Sequence, residues 1–242
     1  MTERESTDAG EVSPRGSTTP MGSDAAGDSS ATETRQRVGF AFHVEGDVRY
    51  LSHRDMLRMF RRALARAELP VRFTEGFNPR PRMSIPLPRP VGVASEAELL
   101  VLDFDPAVDP SEAAERLAAQ MPGGIRIVEG RLLTPGAAPQ PTLVRYRIEP
   151  DGPIPGDIEH RFRHLLEQQV IEVTRTDPKS GIARQIDVRP FIIEFRTGGD
   201  AIEFDTVMTG RGSVRPAEVG GLLGFDPVSI NHRIRRMEVR WQ

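Results

Sequence analysis

The chain has 242 residues, with 32 Lys+Arg against 35 Asp+Glu and no Cys. That length suits one large or two small domains, and the near balance of charge singles out no partner. The missing thiols exclude disulfides, thiolate catalysis, Cys-ligated zinc and an iron–sulfur cluster held by this chain. No apolar run reaches the roughly 20 residues of a membrane span, so a cytoplasmic protein with no membrane association and no cofactor of its own is expected.

Residues 1–36 hold twelve Ser or Thr and seven acids against three arginines. So little apolar surface cannot offset chain entropy, and a disordered acidic tail is predicted. Beyond it strand and helix periods alternate. Val38–Val44 reads as a strand, and Gly46-Asp47 as a turn into a second extended stretch, Val48–Leu51. Ser52 then caps a helix running to about Ala67, with Asp55 three residues on as in a capping box. Pro70–Phe73 and Ser84–Leu87 read as short extended pieces around the loop Gly76-Phe77-Asn78-Pro79. Glu98–Phe104 is an apolar strand, Asp109-Pro110 opens a helix to about Gln120, and Ile125–Leu133 is a strand.

Thr134–Pro141 is rich in Pro, Gly and Ala and reads as a linker. After it come a strand at Leu143–Glu149, a helix at Asp157–Gln169 and a strand at Val170–Thr176. Phe191–Arg196 and Ala201–Met208 pair through the Gly198-Gly199-Asp200 turn. A short helix, Pro216–Leu223, and a last strand, Ile234–Trp241, complete the order. The expected fold is α+β, two tandem ferredoxin-like βαββαβ units over 37–133 and 143–242, joined by the linker 134–142.

The first helix divides cleanly. With Arg54 at zero, Arg58, Arg61, Arg62 and Arg66 fall between about −20° and 120°. Met56, Leu57, Phe60, Ala63, Leu64 and Ala67 fall between about 180° and 300°. Asp47–Arg82 holds nine arginines and four acids. Such a run is either a solvated face or a surface that tracks phosphates. Arg80 and Arg82 follow in a Pro-stiffened loop beside Phe77 and Asn78, and together these residues form a candidate platform for single-stranded RNA. Phe77 is equally compatible with a core plug. The expectation is one water-facing cleft into which both sets of guanidiniums converge.

Three further features are candidates. His53, on the packed side of the helix, is either a proton donor at the Gly76–Arg82 loop or a core histidine bonded to it. Gly210, Arg211, Gly212 and Arg215 precede a helix and form a candidate anion cradle. They lack the Lys-Ser/Thr ending of a P-loop. His160 and His164 share a helix face, but Arg161 stands where a zinc motif has Glu, so no metal site is expected.

The blocks Tyr50-Leu51-Ser52-His53-Arg54-Asp55-Met56-Leu57, Glu75-Gly76-Phe77-Asn78-Pro79-Arg80-Pro81-Arg82 and Val91-Gly92-Val93-Ala94-Ser95-Glu96-Ala97-Glu98 resemble the radical SAM-linked family, a bacterial domain of unknown function. Ile186-Asp187-Val188-Arg189-Pro190-Phe191-Ile192 is similar to that family's second-half motif. Members commonly carry His and Lys after GFNP, where this chain has Arg80 and Arg82. The resemblance implies a separately encoded radical SAM partner, with RNA as the second partner, in tRNA or rRNA modification or processing. The leading expectation is therefore a non-catalytic RNA-binding or substrate-presenting protein. An RNA-processing enzyme using His53 as general acid or base, and a protein–protein adaptor, are the alternatives.

Overall fold

Gln36–Val44 (β1) buries Val38, Phe40, Phe42 and Val44 and turns Arg37, Ala41 and His43 to the other face, the alternation of a half-buried strand. The computed structural model describes residues 35–134 and 138–242. Of the predicted tail, residues 1–34 lie outside the described residues, as do 135–137 of the predicted linker; Gln36 already belongs to β1. The fold is α+β.

His53–Arg66 (α1) follows a 3-10 turn at Gly46–Tyr50, where the sequence reading expected a strand. The turn buries none of its residues, so nothing holds it in a sheet. Met83–Ser84 (β2), Ala94–Phe104 (β3), Pro110–Ala118 (α2) and Ile125–Leu132 (β4) complete the first half. The second half runs Pro141–Ile148 (β5), Ile158–Glu167 (α3), Glu172–Thr176 (β6), Ala183–Asp187 (β7), Ile192–Gly198 (β8), Ala201–Val207 (β9), Pro216–Leu222 (α4) and Ile234–Trp241 (β10).

The main sheet has the order β4-β1-β3-β10-β5-β9-β8, with β2 on the free end of β3. Its neighbours are antiparallel except β3 and β10, which pair in parallel at Ala94–Arg235 and Ser95–Arg236. The two halves thus share one sheet. β6 and β7 form a hairpin outside it. Arg175 docks this hairpin on the start of α4 through Glu218 (2.7 Å) and the Ser213 carbonyl (2.7 Å).

Met56, Phe60, Ala63 and Leu64 of α1 and Ala113, Ala114 and Leu117 of α2 pack on Phe40, Phe42, Leu100, Leu102 and Phe104. Phe162 and Leu165 of α3 and Val219 of α4 pack on Tyr146, Ile148, Ile202 and Phe204. Arg236 joins the two cores. It lies opposite Ser95 and Tyr146 and binds Glu98 beneath α1, so all four helices cover the same face.

The other face of the sheet carries ion pairs. Arg37 binds Asp103 (2.7 Å), Arg145 and Arg196 bind Asp205 (2.9 and 3.0 Å), and Arg235 binds Glu96 (3.3 Å). Burial pulls the Asp205 carboxyl upward, but Arg145 and Arg196 outweigh it and hold the group below the usual carboxylate range. Both arginines are raised in turn by the hydrogen bond to Asp205.

Candidate nucleic-acid interface

α1 begins where its cap predicts. Ser52 Oγ accepts from the Asp55 backbone N–H (3.2 Å) and donates to Asp55 Oδ2 (2.7 Å). That hydroxyl, with Arg58 beside it, keeps the Asp55 carboxyl below its ordinary value and places a negative charge at the helix N-terminus, where the dipole favours it. Arg54, Arg58, Arg61, Arg62 and Arg66 all stand exposed on the side away from the core. Two are engaged: Arg58 with Asp55 (3.0 Å), and Arg66 with the Gln120 side-chain and backbone oxygens (3.1 and 2.7 Å). Arg54, Arg61 and Arg62 have no hydrogen-bond or ion-pair partner among the described residues. Three guanidiniums without such a partner on one helix face, of which Arg54 lies near the Asp55 carboxylate, raise the local potential toward anions.

The GFNP loop is a hairpin-like bend. The Thr74 N–H donates to the Arg80 carbonyl (2.8 Å), the Arg80 N–H donates to Thr74 Oγ1 (3.0 Å), and Phe73 bridges Pro81. Gly76 at φ +114° sits in the left-handed region that glycine tolerates. Phe77 at the tip is fully exposed, so it is not a core plug, and Asn78 and Arg80 are exposed beside it.

Arg82 departs from the expected cleft. The Arg82 N–H donates to the Arg72 carbonyl and the Asp103 N–H to the Arg82 carbonyl. Met83 pairs with Leu102, whose side chain belongs to the helix-covered core, so Arg82 and Asp103 project to the opposite face. There Arg82 lines a cavity with Arg37, Arg72 and Asp103, and the sheet lies between it and the exposed face of α1. The single converging cleft is not formed, because strand pairing alternates side chains between faces.

His53 is half-buried and lines a cavity of about 10 Å³ with Phe42, Leu51, Met56, Ile85, Arg89 and Glu98. Glu98 lies five residues along β3 from Asp103, about 17 Å at strand rise, so His53 is not at the Gly76–Arg82 loop. Its neighbours form a buried polar junction. Arg236 donates to Glu98 Oε1 (2.7 Å) and to the carbonyls of Leu87 (3.3 Å) and Pro88 (3.2 Å). Arg89 donates to the carbonyls of Arg49, Pro90 and Val93, and desolvation lowers its pKa despite Glu98. Sequence reasoning missed Glu98, Arg89 and Arg236; a lone acid opening the apolar run Glu98–Phe104 was the available signal.

At the predicted anion cradle, the Arg215 N–H donates to Glu218 Oε2 (2.8 Å) and Glu218 also binds Arg175 (2.7 Å). The chain's own carboxylate therefore takes the place an anion would occupy. Gly210, Arg211 and Gly212 form a tight bend closed by Thr209 and Gly212. His160 and His164 are exposed on α3. Among the described residues no three His, Asp or Glu side chains cluster as metal ligands, and no helix is long and apolar enough to cross a membrane.

A family model described as "Uncharacterized protein conserved in bacteria (DUF2344)" matches residues 37–216. The chain belongs to that family. The match takes in α1, the GFNP loop and the junction residues Arg89 and Glu98, and ends at the start of α4, before Arg236. No curated protein matches the sequence. Among solved structures, the chain is similar to an unknown protein from Galdieria sulphuraria, at 12% identity and a TM-score of 0.23, over 71% of this chain and 80% of that one. A likeness at that score carries no inference about fold or function.

Proposed function

We propose that this DUF2344 member binds single-stranded RNA through the outer face of α1 and the Phe77 loop. In this reading it is an accessory protein that presents substrate to a separately encoded radical SAM enzyme, in tRNA or rRNA modification or processing in the cytoplasm. The observation that carries the RNA part is the set Arg54, Arg61 and Arg62, exposed and without a hydrogen-bond or ion-pair partner among the described residues, on the element that leads into a loop tipped by an exposed Phe77. Guanidiniums that track phosphates and an aromatic ring that stacks on a base are the two parts of sequence-tolerant single-strand binding. The radical SAM partner rests on the resemblance of the LSHRD and GFNP blocks. The same reading takes each half as a ferredoxin-like unit, which the strand orders β4-β1-β3-β2 and β10-β5-β9-β8 support.

The enzymatic alternative is weaker. A cavity of about 10 Å³ beside His53 has room for one water and none for a scissile phosphodiester. The test is fluorescence anisotropy with a labelled single-stranded RNA of about 12 nucleotides, within the usual site size. The triple variant R54Q/R61Q/R62Q is expected to bind at least about 10-fold more weakly, and Phe77→Ala to lose a comparable factor from one stacked base. Wild-type affinity in both variants would overturn the reading. Absent RNA binding together with capture of an acidic protein would favour the adaptor.

A further inference from the structure

We infer that the open face of the sheet holds a second anion site, built by Arg72 and Arg82, that takes a phosphate monoester. Two adjoining cavities of about 330 and 170 Å³ share Arg37, Arg82 and Asp103 in their walls; Arg72 lines the smaller, and Thr74 and Ser84 the larger. Arg37 binds Asp103 by two hydrogen bonds (2.7 and 3.2 Å), which pairs that carboxylate's charge. Among the described residues Arg82 has no ion-pair partner, and its Nε is buried with no hydrogen-bond partner. The rest of the Arg82 guanidinium likewise makes no hydrogen bond to another described residue, which leaves it able to donate to a ligand. Among the described residues the one carboxylate within reach of Arg72 is that of Glu75, at 3.9 Å, and it is 91% exposed.

Two guanidiniums free to donate, with the hydroxyls of Thr74 and Ser84 beside them, match an oxyanion with several acceptor oxygens. The β2–β3 pairing fixes the arrangement, since Arg82 and Ser84 alternate with Met83 and share the open face. A concave site of this size accommodates a phosphate group with one ester substituent, which leaves through the mouth. The site is separated by the sheet from the α1 face and does not depend on the RNA reading, because a mononucleotide fills it as well as a phosphorylated strand end.

Calorimetric titration of the full chain with inorganic phosphate, AMP and adenosine tests the site. Anisotropy with one oligonucleotide carrying either a 5′-phosphate or a 5′-hydroxyl distinguishes the source of the monoester. AMP, or the phosphorylated strand, is expected to bind at least about 10-fold more tightly than its unphosphorylated counterpart. Arg82→Gln and Arg72→Gln should each remove about that factor, while R54Q/R61Q/R62Q leaves AMP binding unchanged. Arg82→Lys, with far-UV circular dichroism as the folding control, keeps the charge but loses the fork, and should recover only part of the affinity. Equal binding of phosphorylated and unphosphorylated ligands, no binding of any phosphate, or wild-type affinity in both Gln variants would overturn the site.

Discussion

Removing the Glu98 carboxylate should destabilise the chain more than any surface charge change. Side-chain exposure is 1% at Arg236 and 3% at Glu98, and the two are 2.7 Å apart. With charge centres about 4 Å apart and an effective dielectric of about 20, their attraction is about 4 kcal/mol. Glu98→Ala leaves Arg236 buried without a carboxylate, held by the Leu87 and Pro88 carbonyls and by Tyr146, and a buried charge that loses its counter-ion in this way costs about 3–5 kcal/mol. For a chain of this size that lowers Tm by roughly 6–20 °C. Urea unfolding of wild type, Glu98→Ala, Arg236→Met and the double variant closes the cycle. The double variant should recover most of the loss, because replacing both charges by apolar groups is often neutral. A loss below about 1 kcal/mol in Glu98→Ala with an unchanged m-value, or strict additivity in the double variant, would refute a tightly coupled pair at this junction.

Other consequences follow from single groups. Asp205 has a folded-state pKa below its unfolded value near 4, so its contribution is complete above that pH and is lost as acid carries it through the lower folded value. Asp205→Asn should lower stability at neutral pH and flatten the acid limb of the stability curve; an unchanged limb would contradict the Arg145–Asp205–Arg196 assignment. Ser52→Ala removes the hydroxyl that caps α1 and should cost about 1 kcal/mol, a fall in Tm of about 2–4 °C by calorimetry.

What was legible in the sequence was local. The Ser52 cap, the division of α1 into apolar and arginine faces and the start of α2 at Asp109-Pro110 rest on residues a few positions apart, and all three appear in the structure. The β6–β7 hairpin was half missed, because Ala183–Asp187 is exposed or half-buried throughout and carries no apolar alternation. The face on which Arg82 emerges depends on the pairing of Met83 with Leu102, and the Glu98–Arg236 contact spans 138 positions. Neither leaves a trace in spacing. The expectation of one cleft failed for that reason: it counted arginines along the chain without the register that sorts them between two faces.

The most direct measurement of the central claim is the salt dependence of RNA affinity for wild type and R54Q/R61Q/R62Q. Each phosphate contact on a single strand contributes about 0.7 to the log–log slope. The account predicts a slope shallower by about 2 in the triple variant. Equal slopes for the two proteins would contradict it.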